Sequence, residues 1–73
     1  MIFNERLKIL RLEKKLTQEK VAKEIGIPLR SYNRLESDGA KTYYDTLIKI
    51  ADYYGVSLDW LTGRSDVREI NRG

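Results

Sequence analysis

Seventy-three residues with no cysteine and no histidine exclude disulfide staples and the usual zinc sites, so one small domain must be held by its core alone. Fourteen Lys and Arg against eleven Asp and Glu give a net charge of +3, a balance that permits an anionic partner without requiring one. No apolar run approaches the roughly 20 residues of a membrane span, and the opening MIFNERLKIL has no secretory pattern, so the chain is expected in the cytoplasm, off the membrane, with no metal and no cofactor.

Phe3, Leu7 and Leu10 recur at helical spacing with Glu5, Arg6 and Lys8 between them. This predicts a first helix from about Asn4 to Lys14, with Asn4 as its N-cap. Thr17 is a good N-cap for a second helix that buries Val21, Ala22 and Ile25 and ends at Gly26, where a left-handed residue stops the last turn. Pro28 holds Ile27 extended and can open a new helix. A third helix is therefore predicted over residues 28–37, burying Tyr32 and Leu35. Residues from Asp38-Gly39 to Thr42 read as a loop. A fourth helix from Tyr44 to Tyr54 buries Leu47, Ile50 and Ala51 and stops at Gly55; Ser57 caps a short fifth helix carrying Leu58, Trp60 and Leu61. No segment alternates as a strand would, so the fold class is all-α. Residues 1–63 form the domain. Residues 64–73, with only Val67 and Ile70 as apolar anchors, are expected to be a flexible C-terminal tail.

The stretch TQEKVAKEIGIPLRSYNRLE joins two helices across a tight Gly-containing corner, as a helix-turn-helix does. Plain helical hairpins use such corners too. The third helix sharpens the reading: Tyr32 and Leu35 share one face, while Arg30, Asn33 and Arg34 lie on another. Arg can take guanine O6 and N7 in bidentate fashion, and Asn can take adenine N6 and N7. An ordinary solvated face would also carry Arg and Asn, but would be expected to include acids, and Pro28 to Leu35 contains none.

The ordered series Leu7, Leu10, Arg11, Leu16-Thr17-Gln18, Val21-Ala22, Gly26-Ile27, Tyr32, Arg34, Leu35-Glu36, Leu47, Ile50-Ala51 and Gly55-Val56-Ser57-Leu58-Asp59-Trp60-Leu61, with Gly63, resembles the Cro/repressor (phage-repressor-like) family of helix-turn-helix proteins. The likeness covers residues 3–63. It implies a compact five-helix, lambda-repressor-like domain that binds double-stranded DNA as a homodimer on a pseudo-palindromic operator, reading the major groove with the third helix. Carried over position by position, it places Leu29, Arg30, Asn33 and Arg34 against bases, and Thr17, Gln18, Ser31 and Lys41 against phosphates, Gln18 also bracing the third helix. It implies a partly buried structural ion pair of Arg11 with Glu36, and a dimer contact around the fifth helix within reach of Leu58 or Trp60. The chain departs from the family where Pro28 replaces a capping Ser or Thr, where Leu29 replaces a polar residue, and where Lys15 stands in place of a glycine, a position that would demand positive φ. Asp38-Gly39-Ala40 is also spaced differently.

Catalysis is not expected. Asp45, Asp52 and Asp59 are scattered, without a nucleophile or phosphate-cradling loop. A transcriptional regulator, acting as a repressor by operator occupancy, is the leading reading. The alternative is an antitoxin or partner-binding regulator whose main ligand is a protein, met through the tyrosine-rich belt of Tyr43, Tyr44, Tyr53 and Tyr54; half-buried packing of those rings is the plainer account. RNA binding is disfavoured because no exposed aromatic platform sits among the basic residues.

Overall fold

The computed structural model describes residues 2–37 and 42–70. Five helices follow one another: α1 (Ile2–Glu13), α2 (Gln18–Ile25), α3 (Leu29–Ser37), α4 (Tyr44–Tyr54) and α5 (Leu58–Leu61). This is the all-α architecture expected from the sequence. Each helix contributes an apolar stripe to one core. Leu7, Leu10, Val21, Tyr32, Ile50 and Leu61 are its fully buried members, and Phe3, Ile25, Leu35, Tyr54 and Trp60 close it. α3 packs mainly on α1 and α2, and α5 on α1 and α4.

The helix ends are set by local chemistry. Thr17 is extended at φ −87° and its Oγ1 accepts from the Lys20 amide at 3.1 Å, capping α2. At the other end Gly26 takes φ +79°, and its amide and that of Ile27 both donate to the Ala22 carbonyl at 3.0 Å. A side chain at this φ would be strained, so the corner into α3 depends on glycine. Ser57 Oγ accepts from the Trp60 amide and caps α5 as expected.

α1 departs from expectation at its start. Asn4 lies inside the helix, which begins at Ile2, and its Nδ2 donates to the Glu36 carbonyl at 3.3 Å. Its amide group is therefore a tertiary tie to α3 and not an N-cap. Leu47, expected in the core, is only partly buried and packs against its edge, while Tyr54 joins Ile50 and Ala51 as a buried residue of α4.

Residues 64–70, which the sequence reading assigns to a loose tail, make specific contacts with the domain. The Ser57 amide donates to the Arg68 carbonyl at 2.9 Å, and Arg68 pairs with Glu13 on α1. Arg6 donates to the carbonyls of Trp60 and Ser65. The guanidinium groups of Arg6 and Arg68 lie 4.7 and 5.2 Å from the Trp60 ring centroid, where the ring face attracts cations. These anchors are charged and aromatic, so a search for apolar residues passes over them.

Lys15 ends the α1 connection at φ +56°, the one positive φ outside glycine among the described residues. A left-handed L-residue costs about 1–2 kcal/mol, partly offset in a glycine variant by the greater entropy of its unfolded chain. Lys15→Gly is therefore expected to stabilise the domain by about 0.5–1 kcal/mol, read as a rise of a few degrees in Tm by calorimetry. An unchanged or lowered Tm would show that the Lys15 side chain contributes more than its backbone costs.

Candidate nucleic-acid interface

α3 is two-faced because its polar and apolar residues follow the helical repeat. Inward, Tyr32 and Leu35 enter the core and Glu36 is 7% exposed. Outward, Leu29 (40% exposed), Arg30, Ser31, Asn33 and Arg34 all face solvent. Among the described residues, Arg30, Asn33 and Arg34 have no ion pair or side-chain hydrogen bond. Their donors are thus uncommitted, a state that costs nothing in water but suits a ligand rich in acceptors.

Pro28 gives α3 no side-chain cap, and its carbonyl accepts from the Tyr32 amide at 3.1 Å. The amides at the start of the helix, with the positive end of its dipole, are left without a side-chain oxygen from that position. α2 packs directly against α3. At the start of α2, Thr17 is exposed, its oxygen occupied by capping, whereas Gln18 is half-buried. Lys41, and the Asp38-Gly39-Ala40 stretch, lie outside the described residues.

Beneath the exposed face sits a polar knot. The Arg11 Nε–Glu36 Oε2 distance is 2.7 Å, and a second bond joins Nη2 to Oε1 at 3.1 Å. This fork-to-carboxylate geometry is the strong, directional form of an ion pair. Arg11 Nη1 also donates to the Leu16 carbonyl at 2.9 Å, and Gln18 Nε2 donates to Glu36 Oε1 at 3.2 Å. Burial alone would raise the Glu36 carboxyl, but the hydrogen bonds from Arg11 and Gln18 outweigh it and hold the group below the ordinary 4.5. The Tyr32 and Tyr54 hydroxyls are buried near this carboxylate and are pushed upward first by burial. Neither hydroxyl has a hydrogen-bond partner among the described residues; the side chains bonded to the Glu36 carboxylate are those of Arg11 and Gln18.

The sequence reading singled out Gln18 for phosphate and for bracing α3, and it did not foresee the carboxylate as its partner. Asn4 is expected only as an N-cap, and the tertiary contacts of Asn4 and Arg6 are not foreseen. A signal existed: Asn4 and Arg11 are seven apart, two helical turns, and so share the face of α1 turned towards α3.

A helix-turn-helix family model matches residues 7–61, across all five helices apart from the start of α1. The chain belongs to this helix-turn-helix family. It is 38% identical over 65 residues to the HTH-type transcriptional regulator YobD of Bacillus subtilis, covering 89% of this chain and 58% of that protein. It is 42% identical over 64 residues to the cryptic phage CTXphi transcriptional repressor RstR of Vibrio cholerae, covering 88% of this chain and 57% of the repressor. The HTH-type regulator ImmR of Bacillus subtilis is 32% identical over 71 residues, covering 97% of this chain and 56% of ImmR. The chain thus spans a little over half the length of these relatives. No solved structure is a significant match to it.

In this helix-turn-helix domain the buried pair makes two testable demands. Arg11→Ala strands the Glu36 carboxylate and should cost about 3–5 kcal/mol, while replacing both partners by apolar residues (Arg11→Met with Glu36→Leu) should recover most of that loss, as measured by urea unfolding. Equal losses in the single and double variants would mean that packing, not the charge, carries the effect. The second demand concerns pH. Because the folded Glu36 value is depressed, its contribution is complete above 4.5 and is lost as pH falls through the lower folded value. Tm should drop across that acid window, and Glu36→Gln should reduce the slope.

Proposed function

We propose that this domain is a sequence-specific, double-stranded DNA-binding transcriptional regulator, acting as a repressor. α3 enters the major groove, and two copies bind as a homodimer on a pseudo-palindromic operator. The observation that carries this reading is the outward face of α3, where Leu29, Arg30, Asn33 and Arg34 are exposed and uncommitted on a helix whose inner face is fixed by Tyr32, Leu35 and the Glu36 knot. Arg30, Asn33 and Arg34 have the donors that base edges accept, and Leu29 suits a thymine methyl. Thr17, Gln18, Ser31 and Lys41 are assigned to phosphates, which set register and salt dependence but carry no sequence information. Gln18 Nε2 has a second hydrogen left for a phosphate while the first holds Glu36. The uncapped start of α3 adds amides that favour an anion. The relatives named as transcriptional regulators and as a phage repressor support the same reading.

The alternative, a regulator whose main ligand is a protein met at the tyrosine belt, has less to stand on. Tyr54 is buried and Tyr53 hydrogen-bonds Glu24, with its hydroxyl pushed up to about 12 by that carboxylate. Only Tyr43 and Tyr44 are left exposed for such a surface.

Selection from a randomised duplex pool should return an inverted repeat with half-sites about one helical turn, roughly 34 Å, apart. Affinity for the selected site should fall steeply with salt. A single unrepeated half-site would remove the homodimer, and no enriched motif would remove the regulator. On the selected site, Arg34→Ala should cost about 1–3 kcal/mol and relax the choice of base at one position. A uniform loss on all duplexes would reassign Arg34 to phosphate.

A further inference from the structure

α5 is a single turn, Leu58–Leu61, and a helix this short does not hold itself. Within it the Leu61 and Thr62 amides donate to the carbonyls of Ser57 and Leu58. Further support comes from elsewhere in the chain. At its start the Ser57 amide donates to the Arg68 carbonyl at 2.9 Å. At its end the Trp60 carbonyl accepts from Arg6 Nη1, which also holds the Ser65 carbonyl at 2.9 Å. Gly63, at φ +87°, turns the chain out of α5, and a Cβ there would come within 3.2 Å of Ile2 Cγ2, so the turn is closed to larger residues. The Arg64 and Ser65 amides then donate back to the Asp59 carbonyl at 2.8 and 3.2 Å. Arg68 completes the path by pairing with Glu13 on α1 through both terminal nitrogens. Residues 64–70 thus tie both ends of α5 and fasten it to α1. Arg6 and this segment lie outside residues 7–61, which the family model matches.

We propose that residues 64–70 are a clasp that positions α5 for the homodimer contact on DNA, with Arg6 and Arg68 as its positioning residues. This rests on the homodimer reading, with α5 at the contact between copies. Trp60 is buried, with the guanidinium groups of Arg6 and Arg68 over its ring, so its indole belongs to the clasp. Half-buried Leu58 is then the apolar side chain of α5 left within reach of a partner. A two-fold interface sets a patch against its own copy, so a displaced α5 is felt twice. The displacement leaves α3 in place, because α3 packs mainly on α1 and α2. No single tie is strong. The Arg68 and Glu13 side chains are 38% and 46% exposed, and such a pair holds weakly by itself. The clasp acts through several ties at once and opens when two are removed.

The test titrates the intact protein and its variants against two duplexes, the selected inverted repeat and a duplex holding one half-site. Binding as a dimer makes the unaltered protein favour the full site. Arg68→Ala should bind the full site about fivefold more weakly, and Arg6→Ala with Arg68→Ala about tenfold or more, within the range of coupling between separate sites. Half-site affinity should match the unaltered protein in both. Hydrogen exchange at the Ser57 amide, which donates to the clasp, should quicken in both. Arg68→Glu should bind the full site at least as weakly as Arg68→Ala, and adding Glu13→Arg should restore most of the binding. Thermal melts check folding, and if the double alanine variant does not fold, the Glu13 and Arg68 exchange carries the test. A faster Ser57 amide with an unchanged full-site preference would overturn the proposal and leave the homodimer reading standing. No full-site preference in the unaltered protein would remove that reading and the role of the clasp with it. Equal losses on both duplexes, or a Ser57 amide indifferent to every variant, would also overturn the proposal.

Discussion

One carboxylate organises the part of the domain that presents α3. Glu36 is gripped at both oxygens by Arg11 and Gln18, and its backbone carbonyl accepts from Asn4. Arg11 also holds the Leu16 carbonyl, so a single guanidinium ties α1 to the α1–α2 connection and to α3. Three helices thus meet at one residue. A buried ion pair adds little to stability relative to well-packed apolar residues, because desolvation consumes most of the Coulombic gain. Its geometry is demanding, though: the planar fork fits the carboxylate in one orientation. The roll and tilt of α3, and with them the direction of Arg30, Asn33 and Arg34, follow from that fit.

The corner between α2 and α3 supplies the complementary constraint. Gly26 at φ +79° turns the chain within three residues, and Pro28 restarts it. The corner limits the angle between the two helices, and the knot fixes the rotation of α3 about its own axis. Neither alone would present the outer face in a fixed direction. Together they leave it solvated and rigidly backed.

What the sequence disclosed depends on how local each cause is. Thr17, Gly26, Gly55 and Ser57 act through bonds within a few residues, so the ends of α2 and α4 and the start of α5 were readable. The positive φ of Lys15 was readable from the missing glycine. Asn4 was misread because its partner is 32 residues away, and a capping residue and a tertiary tether look alike in one dimension. The tyrosines at 53 and 54 were read as one belt, yet neighbours on a helix point about 100° apart, and they part company: one meets Glu24 at the surface, the other enters the core. For the site, the polarity of α3 was legible because helical periodicity sorts it. The commitment of Gln18 to Glu36 was not, since α2 and α3 must first be packed to bring them within 3.2 Å.

The contacts of residues 64–70 add a closure that joins the two ends of the described chain. Arg6 near the start and Arg68 near the end approach the same indole, and Trp60 is the only tryptophan in the protein. Indole emission responds to neighbouring charge, so this ring is a built-in optical gauge of closure. A change in its emission without a change in helix content would report the ends parting while the five helices stay folded, and that distinction needs no dye or label.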